Sequence, residues 1–228
     1  MRSIAFFGLL CIGMAVTQGG HTTPITADDL KTPMTTSPVI VAYFSPTPLD
    51  LQCDCGLPFS ESYYSLTPIK GGSYRVLLGR NAEGLFLIQN YYQDNKQAQS
   101  SPLWVKDPVN IFLADADAVI GSGTLYYPDG KVFEKFNKKD LDTREGEIFY
   151  RSGERAVTYK KIKWKQSHYE YWYKSGKRAV KYSLSTASNT PSLIHLEGWD
   201  ENGNAVHDAQ LGAILNRFND ELKPKAAH

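Results

Sequence analysis

The sequence predicts a mainly β protein in which successive β-hairpins form one extended, twisted antiparallel sheet with a C-terminal capping helix. Three observations predict this fold. Tight-turn glycines recur at Gly130, Gly153, Gly176 and Gly203, with spacings of 23, 23 and 27 residues. Large aromatic residues precede each of these turns, as expected for paired strands, and the apolar pattern changes to a helical period only after the last hairpin.

The N-terminal part of the chain has a different composition. Residues 1–19 join a basic start to the apolar run "IAFFGLLCIGMAV", which is typical of a secretory signal peptide. Residues 20–40 are rich in Thr and Pro and predict an extended linker. Residues 41–84 contain several prolines and predict an irregular region with short strands. We therefore expect an exported protein, periplasmic or secreted and peripheral to the envelope, whose mature chain has no transmembrane helix.

Removal of the leader would take Cys11 with it and leave Cys53 and Cys55, which are one residue apart. An oxidising compartment favours disulfides, so the two cysteines can pair with each other or form a bridge between chains. Their spacing matches neither a redox motif nor half of a zinc site.

Residues 85–207 contain five hairpin sequences, with Asn95 in place of the turn glycine in the first. A two-residue turn such as Asp129-Gly130 fixes the cross-strand partners by counting outward from the turn. One face then carries aromatic residues opposite smaller apolar ones, and we expect it to be the buried spine. Its pairs are Tyr91–Ala98, Tyr126–Phe133, Phe149–Ala156, Trp172–Ala179 and Trp199–Val206. The other face would meet water or a partner, and its pairs are Tyr127–Val132, Tyr150–Arg155, Tyr173–Arg178 and Asp200–Ala205.

This repeat of about 23 residues resembles the MORN repeat, in the bacterial variant found in exported proteins that are often described as antitoxin-like. The segments "YYPDGK" and "WYKSGK" match its Tyr-Tyr-x-x-Gly-Lys core, whereas "WDENGN" lacks the Lys and "YYQDNK" lacks the Gly. The resemblance covers over half of the mature chain. It implies an architecture of side-by-side hairpins and brings no catalytic residues with it.

Residues 208–228 predict a helix and a short tail. Leu211, Ile214, Leu215 and Phe218 fall on one stripe of a helix that begins near Asp208, a suitable N-cap residue. A helix packed over the last hairpin would protect an exposed edge of the sheet.

The sequence shows no constellation of residues that points to catalysis. The histidines outside the tails are isolated, "DADAVIGSG" lacks part of a calcium-ligand pattern, and "GGSYRVLLG" lacks the spacing of a phosphate-binding turn. We therefore predict a protein that is not an enzyme and that has no cofactor and no metal site.

Charge gives the strongest local signal for binding. Between Lys131 and Lys181 there are 15 Lys and Arg residues against 7 Asp and Glu, although the chain as a whole has a formal net charge of +1. Such a patch can attract an acidic protein, anionic lipid or a cell-wall polymer, or it can simply be a solvated face. Export argues against nucleic acid. The predicted binding residues are Tyr150, Arg155, Tyr173, Arg178, Lys160, Lys161, Lys163, Trp164 and Lys165.

Together these features predict an exported, non-enzymatic repeat protein that acts as a protein-binding or scaffolding module of the bacterial cell envelope. The alternative is an immunity or antitoxin protein that neutralises a toxin in the same compartment. The expected partner is an unidentified protein, and the candidates for the basic segment are an acidic protein, anionic lipid or a cell-wall polymer.

Overall fold

A computed structural model describes residues 34–45, 64–112, 119–138, 140, 142–163, 165–185 and 192–222. The predicted leader, Cys53, Cys55 and Trp164 lie outside these residues. The described residues form twelve strands in one open antiparallel sheet, followed by a C-terminal helix. The strands are β1 (Met34–Phe44), β2 (Tyr64–Ser65), β3 (Ser73–Arg80), β4 (Phe86–Tyr92), β5 (Leu103–Val105), β6 (Val119–Tyr126), β7 (Val132–Lys138), β8 (Thr143–Phe149), β9 (Arg155–Ile162), β10 (Gln166–Trp172), β11 (Arg178–Ser185) and β12 (Ser192–Gly198). A 3-10 helix covers Pro108–Phe112, and helix α1 covers Asp208–Glu221.

The sheet confirms the predicted fold class. From β3 to β12 the strands lie side by side in chain order, while β1 lies outside β3 and β2 outside β1. Strand β1 starts at Met34, inside the segment predicted to be a linker, and β3 is eight residues long within the region predicted to be irregular. The longer segment between the first two hairpin turns, from Asn95 to Gly130, supplies β5 and the 3-10 helix.

The hairpin turns contain three residues, and the prediction of two-residue turns was wrong. At the turn after β6, the Gly130 N–H donates to the Tyr127 carbonyl (2.8 Å) and the Tyr127 N–H donates to the Lys131 carbonyl (2.7 Å). Gly130 has φ +81°, a left-handed conformation that glycine adopts without steric cost. The same hydrogen bonds recur at the turns after β8 and β10. This is a turn in which a bulge follows the left-handed residue.

The extra turn residue changes the partners nearest each turn. The aromatic residues that end β6, β8 and β10, and Trp199 immediately after β12, each pair with the residue one position before the predicted partner. The observed pairs are Tyr126–Val132, Phe149–Arg155, Trp172–Arg178 and Trp199–Ala205. Beyond the bulge the predicted register holds, for example between Ile148 and Val157. The first hairpin differs, because Tyr91 pairs with Ala98 as predicted but Lys96, not Asn95, has the positive φ.

The bulge determines which face of the sheet is buried at its C-terminal end. Ala156 and Val157 both belong to the core cluster that includes Tyr150 and Tyr173, and helix α1 packs on this cluster. The Phe218 ring, 1% exposed, lies 6.1 Å from the Tyr150 ring and 5.9 Å from the Tyr173 ring, measured between centroids. We call this the helix face. Further toward the N-terminus the same face carries a second apolar cluster, formed by Ile88, Leu103, Val105, Ile111, Val119 and Phe136.

A ladder of tyrosine hydroxyl groups links each hairpin on the helix face to the next. In four hairpins an aromatic residue before the turn is followed by a tyrosine whose hydroxyl donates to a main-chain carbonyl of the following hairpin. The bonds are Tyr92 to Tyr126 (2.7 Å), Tyr127 to Phe149 (2.8 Å), Tyr150 to Trp172 (2.8 Å) and Tyr173 to Trp199 (2.7 Å). The fifth hairpin has Asp200 at this position, which accepts hydrogen bonds from the N–H groups of Asn202 and Asn204 in its own turn.

Helix α1 begins at Asp208, close to the predicted start, but its N-cap residue is His207, so the predicted N-cap role of Asp208 was wrong. Leu211 and Phe218 are its buried residues, and Ile214 and Leu215 are partly buried against the same cluster, in agreement with the predicted stripe. Among the described residues there is no helix long and apolar enough to cross a membrane.

Candidate binding surface

The structure divides the predicted binding residues between the two faces of the sheet. Tyr150 and Tyr173 are each only 3% exposed, because helix α1 covers them on the helix face. Their predicted place on an exposed recognition face was therefore wrong. The physical reason is the bulge after each turn, which places the tyrosine beside Ala156 or Ala179 in the core.

Arg155 and Arg178 lie on the opposite side, which we call the open face and define as the side of strands β6–β12 turned away from α1. Their side chains are 47% and 48% exposed. The Arg155 guanidinium lies 4.3 Å from the centroid of the Trp172 ring, and the Arg178 guanidinium lies 5.8 Å from that of Trp199. A third cation–aromatic pair, Lys135 with Phe149 at 5.8 Å, extends the series toward β7. The two tryptophans are therefore partly buried beneath cations on the open face and do not form a buried spine.

The predicted cluster of lysines is not one patch. Lys160 pairs with Glu145 across β8 and β9 on the open face. Lys161 is on the helix face, where its ammonium group lies 5.3 Å from the centroid of the Tyr159 ring. Lys163 and Lys165 belong to the turn between β9 and β10. Lys160 and Lys161 therefore lie on opposite faces of the sheet, and the four lysines do not form one patch on either face.

Two rows of polar residues cross the open face beside Phe149, Trp172 and Trp199. Because alternate residues of a strand face the same side, the register between strands fixes the members of each row. The first row is Thr124, Lys135, Glu147, Thr158, Glu170, Lys181 and Glu197. The second row is Ser122, Asn137, Glu145, Lys160, His168, Ser183 and His195.

Acidic side chains in the first row neutralise the two arginines. A Glu147 carboxylate oxygen lies 3.5 Å from the Arg155 guanidinium, and Glu170 lies 3.6 Å from Arg178 and 3.4 Å from Lys181. These pairs are half-exposed, so each contributes little to stability. The open face therefore presents alternating charges, whereas the composition of the segment predicted a strongly basic surface.

A shallow depression of about 610 Å³ lies on the open face across β6–β9. Its lining includes the charged side chains of Lys135, Glu145 and Glu147 and the shorter side chains of Ser122 and Thr124. It is open to solvent and is not the enclosed, largely apolar cavity in which most small molecules bind. In the part of the chain that the structure describes, no three His, Cys, Asp or Glu side chains are close enough to hold a metal ion.

The sequence predicted the arginines of this surface but not the carboxylates that pair with them. Glu147 and Glu170 precede the arginines by eight residues, which is the distance across each hairpin, and this spacing was the available signal. The signal becomes readable only when the turn is known to contain three residues. No protein-family model matches the chain, and no curated protein matches it.

Proposed function

We propose that this chain is a non-enzymatic, MORN-type repeat protein that binds a protein partner through its open face, as a scaffolding module of the cell envelope. The observation that supports this most is the series of cation–aromatic pairs on the face opposite helix α1. Three consecutive hairpin units present a cation beside a partly exposed aromatic ring, at Lys135–Phe149, Arg155–Trp172 and Arg178–Trp199.

These residue types suit protein recognition. Tryptophan and arginine are enriched among the residues that dominate the binding energy of protein interfaces, because they bury a large area and retain polar groups. Equivalent positions in successive hairpins are two strands apart, or about 9–10 Å. The partner would bring carboxylate groups that compete with Glu147 and Glu170 for the arginines, and apolar groups that cover the tryptophans. The predicted leader sequence supports the envelope as the location.

Reversal of the charge at the two exposed arginines tests this proposal without changing a core residue. The double variant Arg155→Glu, Arg178→Glu should bind the partner at least about tenfold more weakly, which corresponds to loss of roughly 1.4 kcal/mol. Its melting temperature should change little, because both side chains are half-exposed. The matched control is Lys70→Glu, Lys106→Glu, which makes the same change in net charge at exposed positions outside β6–β12. Equal affinity of both double variants would contradict the proposal.

Partner identity requires affinity capture from envelope and secreted fractions, at low and high salt, with the chain from Gly20 onward as bait. Several components that dissociate as salt rises would support the scaffold. One stoichiometric protein that remains bound at high salt would favour the immunity or antitoxin alternative, which is otherwise suggested only by the resemblance of the repeats.

A further inference from the structure

The last strand of the sheet has one open side. Strand β12 pairs with β11 on its inner side, and no strand among the described residues pairs with its outer side. Every residue from Ser192 to Glu197 is exposed. The apolar residues Leu193, Ile194 and Leu196 are 56%, 59% and 40% exposed. Sheet edges are usually protected from further pairing by a lysine or a proline, and β12 contains neither.

The opposite edge of the sheet is better protected. Strand β2 covers the outer side of β1 at Tyr43 and Phe44. Pro38, inside β1, has no N–H group to donate, and the pairing of β1 with β3 is shifted at two places. Such features discourage the addition of another strand. Strand β12 is therefore the more accessible edge of the described sheet.

An apolar row on the helix face ends at this accessible edge. Cross-strand partners share a face, and the register places Tyr169, Tyr182 and Leu196 in one row. The rings of Tyr169 and Tyr182 are stacked, with their centroids 4.7 Å apart. Leu193 lies opposite Leu184 on the same face. Another apolar side chain beside Leu196 would therefore continue the row beyond the edge.

Strand β12 is complementary to a second copy of itself. In the register between β11 and β12, Ile194 has no partner, so Leu193 and Leu196 lie on the same face although they are separated by two residues. Two copies of β12 can run antiparallel about a two-fold axis that passes between Ile194 and His195. Leu193 of each copy then lies opposite Leu196 of the other, and Glu197 lies opposite a serine. Each strand thus supplies the apolar side chain that the other lacks, and no like charges are opposed.

We propose that two copies of this chain form a dimer by antiparallel pairing of their β12 strands, so that one sheet continues through both copies. Such a dimer is closed, because each copy contributes the same strand. The pairing gives hydrogen-bond partners to the outward main-chain groups of β12 and covers the exposed leucines. The open faces of the two copies then lie on the same side of the combined sheet. The dimer does not depend on the protein partner proposed above, whose contacts are with Arg155 and Arg178.

Sedimentation velocity at several concentrations of the purified full chain, without a partner, measures the mass of the particle, and we expect about twice the mass of one chain. The double variant Leu193→Lys, Leu196→Lys opposes like charges in both leucine pairs and should raise the dissociation constant of the dimer at least about tenfold. The double variant Leu193→Lys, Leu196→Glu opposes unlike charges there and should remain a dimer. The matched control Val39→Lys, Ile40→Lys changes two apolar residues of β1 that are 52% and 48% exposed, and it should also remain a dimer.

A dimer that only the Leu193→Lys, Leu196→Lys variant loses would support the pairing. The proposal is overturned by the mass of a single chain at the highest concentration, by open-ended oligomers, by a dimer that only the β1 variant loses, or by equal dissociation of the two β12 variants. Circular dichroism shows whether each variant is folded. If the two lysines prevent folding, Leu193→Thr, Leu196→Thr removes the apolar contacts with a residue suited to strands and should weaken the dimer in the same direction. Failure of the dimer leaves the protein-binding proposal intact, because that proposal is tested by the two arginines.

Discussion

The hydroxyl group of Tyr150 donates a hydrogen bond of 2.8 Å to the main-chain carbonyl of Trp172, and so connects one hairpin to the next. The Trp172 carbonyl lies one residue before Tyr173, which makes the same bond to Trp199. The recurring aromatic–tyrosine dipeptide therefore has a structural role. In Phe149–Tyr150 and Trp172–Tyr173 the first residue faces the open side, and the tyrosine links hairpins beneath helix α1.

Removal of these hydroxyl groups should destabilise the sheet. Each of the variants Tyr150→Phe and Tyr173→Phe leaves a partly buried carbonyl without this donor, and we expect a loss of about 1–2 kcal/mol in the free energy of unfolding. Urea denaturation followed by circular dichroism measures this loss. Tyr64→Phe is the control, since Tyr64 lies at the other end of the sheet and is 36% exposed. A ladder without energetic value would give all three variants the same midpoint.

Alkaline pH should also weaken the fold through the ladder. Burial raises the pKa of Tyr127 to about 12, above its ordinary value of 10.0. The neutral hydroxyl is thus favoured in the folded state, so this contribution is complete below about pH 10 and is lost as the pH rises toward 12. For Tyr127 it amounts to at most about 2.7 kcal/mol. Urea titrations between pH 8 and pH 12 should show a smaller loss of stability for Tyr127→Phe than for the unchanged protein, and equal slopes would contradict this.

Helix α1 should stabilise the protein mainly through the side chain of Phe218. Phe218 contacts the rings of Tyr150, Tyr171 and Tyr173, and Phe218→Ala should cost about 3–5 kcal/mol, the usual cost for a buried aromatic residue. Asn219→Ala, at the next and exposed position, should change the thermal midpoint little. Trp172→Ala should cost clearly less than Phe218→Ala, because Trp172 is only partly buried on the open face. The reverse order would mean that the two faces have been exchanged.

Replacement of Gly146 or Gly212 by alanine should change the stability of the protein in opposite directions. A Cβ atom at Gly146 would lie 2.6 Å from the Lys135 carbonyl oxygen and 2.7 Å from the Tyr159 hydroxyl, so Gly146→Ala should destabilise the protein. Tyr159 in turn is held by hydrogen bonds to Arg144 and Glu134. A Cβ atom at Gly212, in α1, meets nothing within 4 Å, and Gly212→Ala should stabilise the protein by up to about 1 kcal/mol. The thermal unfolding midpoints of both variants show whether each substitution stabilises or destabilises the protein.

The candidate binding surface was only partly readable from the sequence. Arg155 and Arg178 were predicted to be exposed, because counting outward from each turn placed them on the face expected to meet water. Tyr150 and Tyr173 could not be assigned correctly, because one extra residue in each turn moves them to the opposite face from the expected one. The paired carboxylates of Glu147 and Glu170 could not be recognised for the same reason.

The sequence by itself determined the kind of fold, since turn glycines at regular spacing and aromatic strand ends are local signals that specify hairpins in chain order. The C-terminal helix was determined in the same way by the period of Leu211, Ile214, Leu215 and Phe218. Only the tertiary structure decided which face is buried. Residues on both faces are aromatic, so hydrophobicity alone does not distinguish them. The bulge after each turn and the packing of Phe218 on Tyr150 and Tyr173 make that choice, and they depend on contacts between residues far apart in the chain.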